Sequence, residues 1–82
     1  MQQNEAVADV IDPATLAKVR RMAQSGTARA IRVAADLSLA EMGAPIPASA
    51  STVLRWERGE RMPHGDRAVR YLELLERVSG GS

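Results

Sequence analysis

The sequence predicts an all-α protein, a compact bundle of about five short helices, and three observations carry that reading. Fourteen of the 82 residues are Ala, and Trp56 and Tyr71 are the only aromatics. Small side chains of high helix propensity suit closely packed helices better than a sheet. Apolar residues recur at three-to-four spacing along successive short segments, the period of a helix face. Helix starts and stops separate those segments, at Asp12-Pro13, Gly26-Thr27, Ser38, Pro45 with Pro47, and Gly59. A chain of this length holds one core.

Taken in order, residues 1–12 carry Glu5, Asp9 and Asp12 and no base. Ala6, Val7, Val10 and Ile11 fall at helical spacing, but the segment is short and uncapped. Residues 1–11 therefore read as a flexible acidic arm, able to form a turn of helix on docking. The domain proper is expected over 12–79. Asp12 is the N-cap of its first helix and Pro13 the first helical residue, with Leu16, Val19, Met22 and Ala23 as the apolar stripe. Gly26 reads as a stop and Thr27 as the next cap. The second helix is expected over 27–36, burying Ala28, Ile31, Ala34 and Ala35.

Ser38-Leu39-Ala40-Glu41 has the form of a capping box and opens a third helix. Pro45 must end it, with Ala44 pushed toward extended geometry. A fourth helix is expected over about 49–58, or from Pro47, turning Val53 and Trp56 inward and ending at Gly59. The last follows Pro63-His64-Gly65-Asp66 and runs to about Val78, on a stripe of Val69, Leu72, Leu75 or Tyr71, and Val78. Residues 80–82 read as a flexible tail.

Composition excludes several chemistries. Without Cys there is no disulfide framework, zinc finger or thiol nucleophile. His64 is the single His, and with no carboxylate cluster around it no metal is expected, nor any cofactor. Ser, His and Asp occur without any sign of a nucleophile set beside a base, so no catalytic residue and no enzyme is expected. No apolar run nears the ~20 residues of a membrane span, and no secretory signal pattern opens the chain. A cytoplasmic protein away from membranes is the expectation.

The formal charge of +1 looks indifferent to polyanions until it is divided along the chain. Residues 13–70 hold ten bases against Asp36, Glu41, Glu57, Glu60 and Asp66, whereas the two ends are net acidic. A basic middle between acidic ends is compatible with a phosphate backbone as partner; a solvated face with local ion pairs is the alternative. The acidic arm is a candidate competitor for that basic face. Ten of the eleven bases are Arg, the better side chain for gripping two acceptors at once.

Ser51-Thr52-Val53-Leu54-Arg55-Trp56-Glu57-Arg58-Gly59-Glu60-Arg61-Met62-Pro63 resembles the recognition helix and following turn of the lambda-repressor-like (Cro/XRE-type) helix-turn-helix DNA-binding family. The family pattern there is Ser-Thr-Ile-Ser-Arg-Trp-Glu-x-Gly-x-x-x-Pro. Upstream, Leu37-Ser38 and Glu41-Met42-Gly43 fall where the family has Leu-Ser and Glu-Leu-Ala. The resemblance covers about residues 27–78. It implies a sequence-specific regulator of transcription, a repressor or Cro-like protein of a phage or bacterium. Such a protein inserts a recognition helix of about residues 49–58 into the major groove of double-stranded DNA, as a homodimer on a two-fold related site. The last helix, or the apolar arm around Val7–Ile11, would supply the dimer contact. The resemblance also implies a structural pair between Arg32 and Glu57.

The residues fit that docking physically. Val53 and Trp56 pin the fourth helix to the core, with Trp56 read as core rather than as a stacking platform. Ala50, Ser51, Leu54, Arg55 and Arg58 occupy the freer face. Small residues early in the helix let its start approach base edges, and Arg55 can reach guanine O6 and N7, unless it is merely solvated or paired with Glu41 or Glu57. Ser49 and Thr52 can bond phosphate or cap the helix, Arg58 and Arg61 suit phosphate, and Ser38 heads the third helix in the same set. Gly59 permits the positive φ that ends the helix. Arg20, Arg21 and Arg29 read as a solvated face, and His64 as a loop or cap residue.

Two departures from the family stand out. Leu39 replaces its usual phosphate-bonding Gln. Pro47 replaces a turn Gly of positive φ, so a shortened third helix and a more extended Pro-Ile-Pro connection are expected. An antitoxin or a helical protein-interaction module of the same fold, with a protein as main partner, is the alternative function. No small-molecule ligand is expected.

Overall fold

A computed structural model describes residues 12–80, and the expected acidic arm at 1–11 and the last two residues of the expected tail lie outside them. The described residues form five helices and no strand: α1 (Pro13–Gln24), α2 (Thr27–Ala34), α3 (Leu39–Gly43), α4 (Ala50–Glu57) and α5 (Gly65–Gly80). The protein is all-α. None of these helices is long and apolar enough to cross a membrane.

Local chemistry sets most of the helix starts. The Asp12 carboxylate accepts from Ala14 N–H at 3.2 Å, with Pro13 behind it in the first turn. Ser38 caps α3 by accepting from Glu41 N–H at 3.0 Å, while Glu41 accepts from Ser38 N–H at 2.8 Å, closing the capping box. Ser49 caps α4 by accepting from Thr52 N–H at 3.1 Å. The start of α2 differs from expectation: Gly26, in a left-handed conformation, is the cap position, and Thr27 is already helical. The Thr27 hydroxyl is engaged with Ser25 Oγ at 2.8 Å, and Thr27 N–H donates to the same oxygen.

The end of α2 is a further correction. The helix stops at Ala34, Asp36 takes φ +63°, and Asp36 N–H and Leu37 N–H bond back to Val33 O and Arg32 O. These are the two bonds of a Schellman ending, built on Asp, one of the few residues that tolerate a left-handed position. Because the chain turns here, Ala34 and Ala35 stay exposed, and Leu37 packs against the core in their place. The same ending recurs at α4, where Gly59 has φ +74° and Gly59 N–H and Glu60 N–H reach Trp56 O and Arg55 O.

Between α3 and α4 the expected extended connection does not form. Ala44 is helical in φ and ψ despite preceding Pro45, and Pro47 lies in the turn rather than in α4. The Gly43 carbonyl accepts both Ile46 N–H at 3.0 Å and Ala48 N–H at 2.8 Å, and Ile46 is buried. Burial of Ile46 together with these bonds outweighs the local preference of a residue before proline. Gly43 is required by the close approach: a Cβ there would overlap the Ala48 carbonyl and sit 3.2 Å from Val53 Cγ2.

The core draws on every helix. Val19 and Ala23 come from α1, Ala28 from α2, Met42 from α3, Val53 and Trp56 from α4, and Ala68, Tyr71, Leu72 and Leu75 from α5. Leu16, Met22, Ile31 and Val78 are only partly buried. Ala68 takes the inward place expected of Val69, which is half-buried. α1 packs on both α5 and α2, and α3 packs on α4. α5 runs on to Gly80, past the expected end near Val78.

Candidate functional site

Trp56 and Glu57 are adjacent on α4 and both face inward, and what they meet fixes how α4 is held. The Trp56 ring is 2% exposed and lies 4.8 Å from the Tyr71 ring, tilted by 41°. The Glu57 carboxylate is gripped by Arg32 through both oxygens, Nε to Oε2 at 2.6 Å and Nη2 to Oε1 at 3.0 Å, while Arg32 Nη1 donates to Leu37 O at 2.9 Å. One guanidinium thereby ties α2, the turn after it and α4 together. The bidentate geometry is the strong form of the pair, and both side chains are largely withdrawn from water. The hydrogen bond to Glu57 holds the Arg32 pKa above its usual value against the opposing effect of burial. Burial, reinforced by the Glu57 charge, pushes the Tyr71 phenol well above its usual 10.0, and the Tyr71 hydroxyl has no hydrogen-bond partner among the described residues.

With Val53 and Trp56 buried, the opposite side of α4 is left to solvent. Ala50, Ser51, Arg55 and Arg58 are exposed there, and Leu54 is half-buried. At the helix start the hydroxyls of Ser49, Ser51 and Thr52 form a connected set: Ser49 Oγ lies 3.3 Å from Ser51 Oγ and donates to Thr52 Oγ1 at 2.9 Å. Ser49 is thus occupied as the cap, and Thr52 retains its own hydroxyl proton for another partner. Glu41 is spent in the capping box and Glu57 on Arg32. Arg55 consequently pairs with neither, and Arg55, Arg58 and Arg61 make no side-chain ion pair among the described residues.

The structure gathers some of these residues and separates others. Thr52, Arg55 and Arg61 line one cleft of about 300 Å³ between α4 and the start of α5, together with His64 and Arg67. Arg58, at the C-terminal cap of α4, lies outside that lining, as do Ser49, Ala50 and Ser51. Ser38 is apart, lining a separate depression with Arg32 and Glu41. Leu39 packs against the core. Arg20 departs from the expected solvated face: it is half-buried, and its Nη2 lies 3.4 Å from His64 Nδ1. Arg21 and Arg29 are exposed. No group of three His, Asp or Glu that could hold a metal exists among the described residues.

Sequence reasoning passed over Arg67 and set His64 aside as a loop residue. The available signal was positional, since Arg61, His64 and Arg67 bracket Pro63 and so flank the start of α5. No protein-family model, curated protein or solved structure matches this chain.

Proposed function

We propose that the protein is a double-stranded DNA-binding transcriptional regulator, of the class that lays one helix in the major groove, with α4 as that helix. The observation that carries the reading is the outer side of α4. Its first turn presents the small residues Ala50 and Ser51, followed by Arg55, Arg58 and Arg61, none of which makes an ion pair among the described residues. Small residues permit close approach to base edges, and free guanidinium groups suit guanine and phosphate. The buried anchors Val53 and Trp56 and the Arg32–Glu57 clamp give α4 the rigid seat that reading requires. The resemblance of residues 51–63 to the Cro/XRE-type pattern points the same way. On this reading α3 and α4 form the helix-turn-helix, the protein is not an enzyme, it works in the cytoplasm, and a homodimer meets a two-fold related site.

The test is selection of bound duplexes from a random DNA pool, followed by a salt titration on the selected sequence. A recovered two-fold related motif, with affinity falling steeply as salt rises through counterion release, is the expected result. Recovery of no sequence, or affinity insensitive to salt, would overturn the reading.

A further inference from the structure

The cleft between α4 and the start of α5 has a one-sided chemistry. Its polar side chains are Thr52, Arg55, Arg61, His64 and Arg67. A guanidinium can only donate. Thr52 already accepts from Ser49, which leaves its hydroxyl proton to give. The remaining group is His64, whose ring has one donor and one acceptor when neutral, and Arg20 decides which is which. Because Arg20 Nη2 cannot accept, the facing Nδ1 at 3.4 Å must carry the lone pair, and the ring proton then resides on Nε2. Arg20 Nε is itself buried without a hydrogen-bond partner among the described residues, so this side chain is held in place without full satisfaction of its own donors. Among the described residues, every polar side chain of the cleft can thus donate, and no carboxylate lines it. About 300 Å³ exceeds the room a single tetrahedral oxyanion needs.

We propose that this cleft binds one phosphate group, held by Thr52, Arg55, Arg61, Arg67 and His64 Nε2–H, with Arg20 of α1 acting as a positioning residue that fixes the His64 tautomer. The inference rests on the nucleic-acid reading only for the source of the phosphate, which is a backbone phosphate of the bound duplex in that case and a free phosphate otherwise. α1 then contributes to anion binding without touching the anion.

His64 is the only histidine of the chain, so its ring nitrogens and carbons report on the cleft without ambiguity in an NMR spectrum. In the full chain, inorganic phosphate is expected to shift the His64 ring signals saturably, beyond the effect of chloride at equal ionic strength, and Arg67→Gln is expected to abolish the saturable shift. Arg20→Gln should convert the Nε2–H pattern of the nitrogens to a mixture of tautomers. On the duplex recovered by selection, Arg67→Gln should weaken binding roughly three- to tenfold and lower the salt slope by about one. Arg67 is exposed, and an unchanged melting temperature would show that its loss leaves the fold intact. Phosphate shifting His64 no more than chloride, together with Arg67→Gln binding the duplex as the parent does, overturns the site while leaving DNA binding standing. A saturable phosphate shift without any duplex binding upholds the site and removes the DNA reading instead.

Discussion

On the inner side of α4, Arg32 makes three hydrogen bonds and meets a carboxylate that is nearly sealed from water. On the outer side, the side chains of Arg55, Arg58 and Arg61 make no ion pair among the described residues. The same functional group is used to complete the fold in one place and left uncompleted in the other, across the width of a single helix. The difference follows from neighbours. Glu57, the acid nearest in sequence to Arg55, is consumed by Arg32, and Glu60, the next nearest, makes no ion pair with Arg55, Arg58 or Arg61 among the described residues. With Glu57 turned inward, the three guanidinium groups outnumber Glu60, the one acid left exposed among residues 50–61, and that stretch of surface stays net positive.

The contrast can be broken most severely from the inner side. Arg32→Ala strands the Glu57 carboxylate, and breaking one partner of a buried pair costs about 3–5 kcal/mol. A large fall in melting temperature is expected, and an unchanged one would remove the pair from the stability of the fold. Gly43→Ala comes next, because the added methyl collides with the carbonyl of Ala48, the residue whose N–H closes the α3–α4 turn on Gly43 O. Overpacking of this kind costs about 1–3 kcal/mol or more, measurable by denaturant unfolding.

The outer side should behave oppositely, with stability kept and binding lost. Arg55→Ala is expected to cost about 1–3 kcal/mol of DNA affinity; equal loss on all sequences accords with a phosphate in the cleft, and relaxed preference at one base pair would assign Arg55 to a base instead. Arg58→Ala should weaken binding evenly across sequences and flatten the salt dependence. Equilibrium binding of each variant at several salt concentrations checks both.

The smallest effect concerns Tyr71. Its buried hydroxyl lacks a partner among the described residues, so Tyr71→Phe should leave stability unchanged or raise it by about 1 kcal/mol. Its phenol is held neutral in the folded state beyond the pH near 10.0 at which the unfolded chain ionises. The unfolded state then binds fewer protons, so stability is whole below that pH and falls as pH rises above it. Unfolding followed from pH 9 upward should show this decline in the parent and its absence in Tyr71→Phe.

What the sequence made legible was whatever a few neighbouring residues decide. The caps Asp12 and Ser38 and the ending at Gly59 depend on hydrogen bonds within five positions and stand where the local pattern put them, and of the two caps offered for the fourth helix Ser49 is the one used. Two local preferences were overruled by burial. Ala44 turned helical before Pro45 because Ile46 had somewhere to go, and α2 ended early because Asp36 accepted a left-handed turn that returned Leu37 to the core. The cleft was the least legible feature. Thr52, Arg55 and Arg61 were singled out on α4 and its turn, but Arg67 and His64 join them, and Arg20 reaches His64, only through the packing of α1, α4 and α5. No spacing rule records a meeting between residues 44 positions apart.

The packing of α1 on α5, marked at the surface by the Lys18–Glu76 bridge across 58 positions, also says something about the order of assembly. α3 and α4 are joined by a short hydrogen-bonded turn and lose little chain entropy on meeting, whereas the contact of α1 with α5 closes nearly the whole chain. The α3–α4 pair is therefore expected to form early and the α1–α5 contact late. Val19→Ala, which thins the α1 core, is expected to quicken unfolding far more than it slows refolding in stopped-flow measurements. A helix that docks last also leaves first, so the clasp on His64 would be the earliest contact a warming molecule gives up.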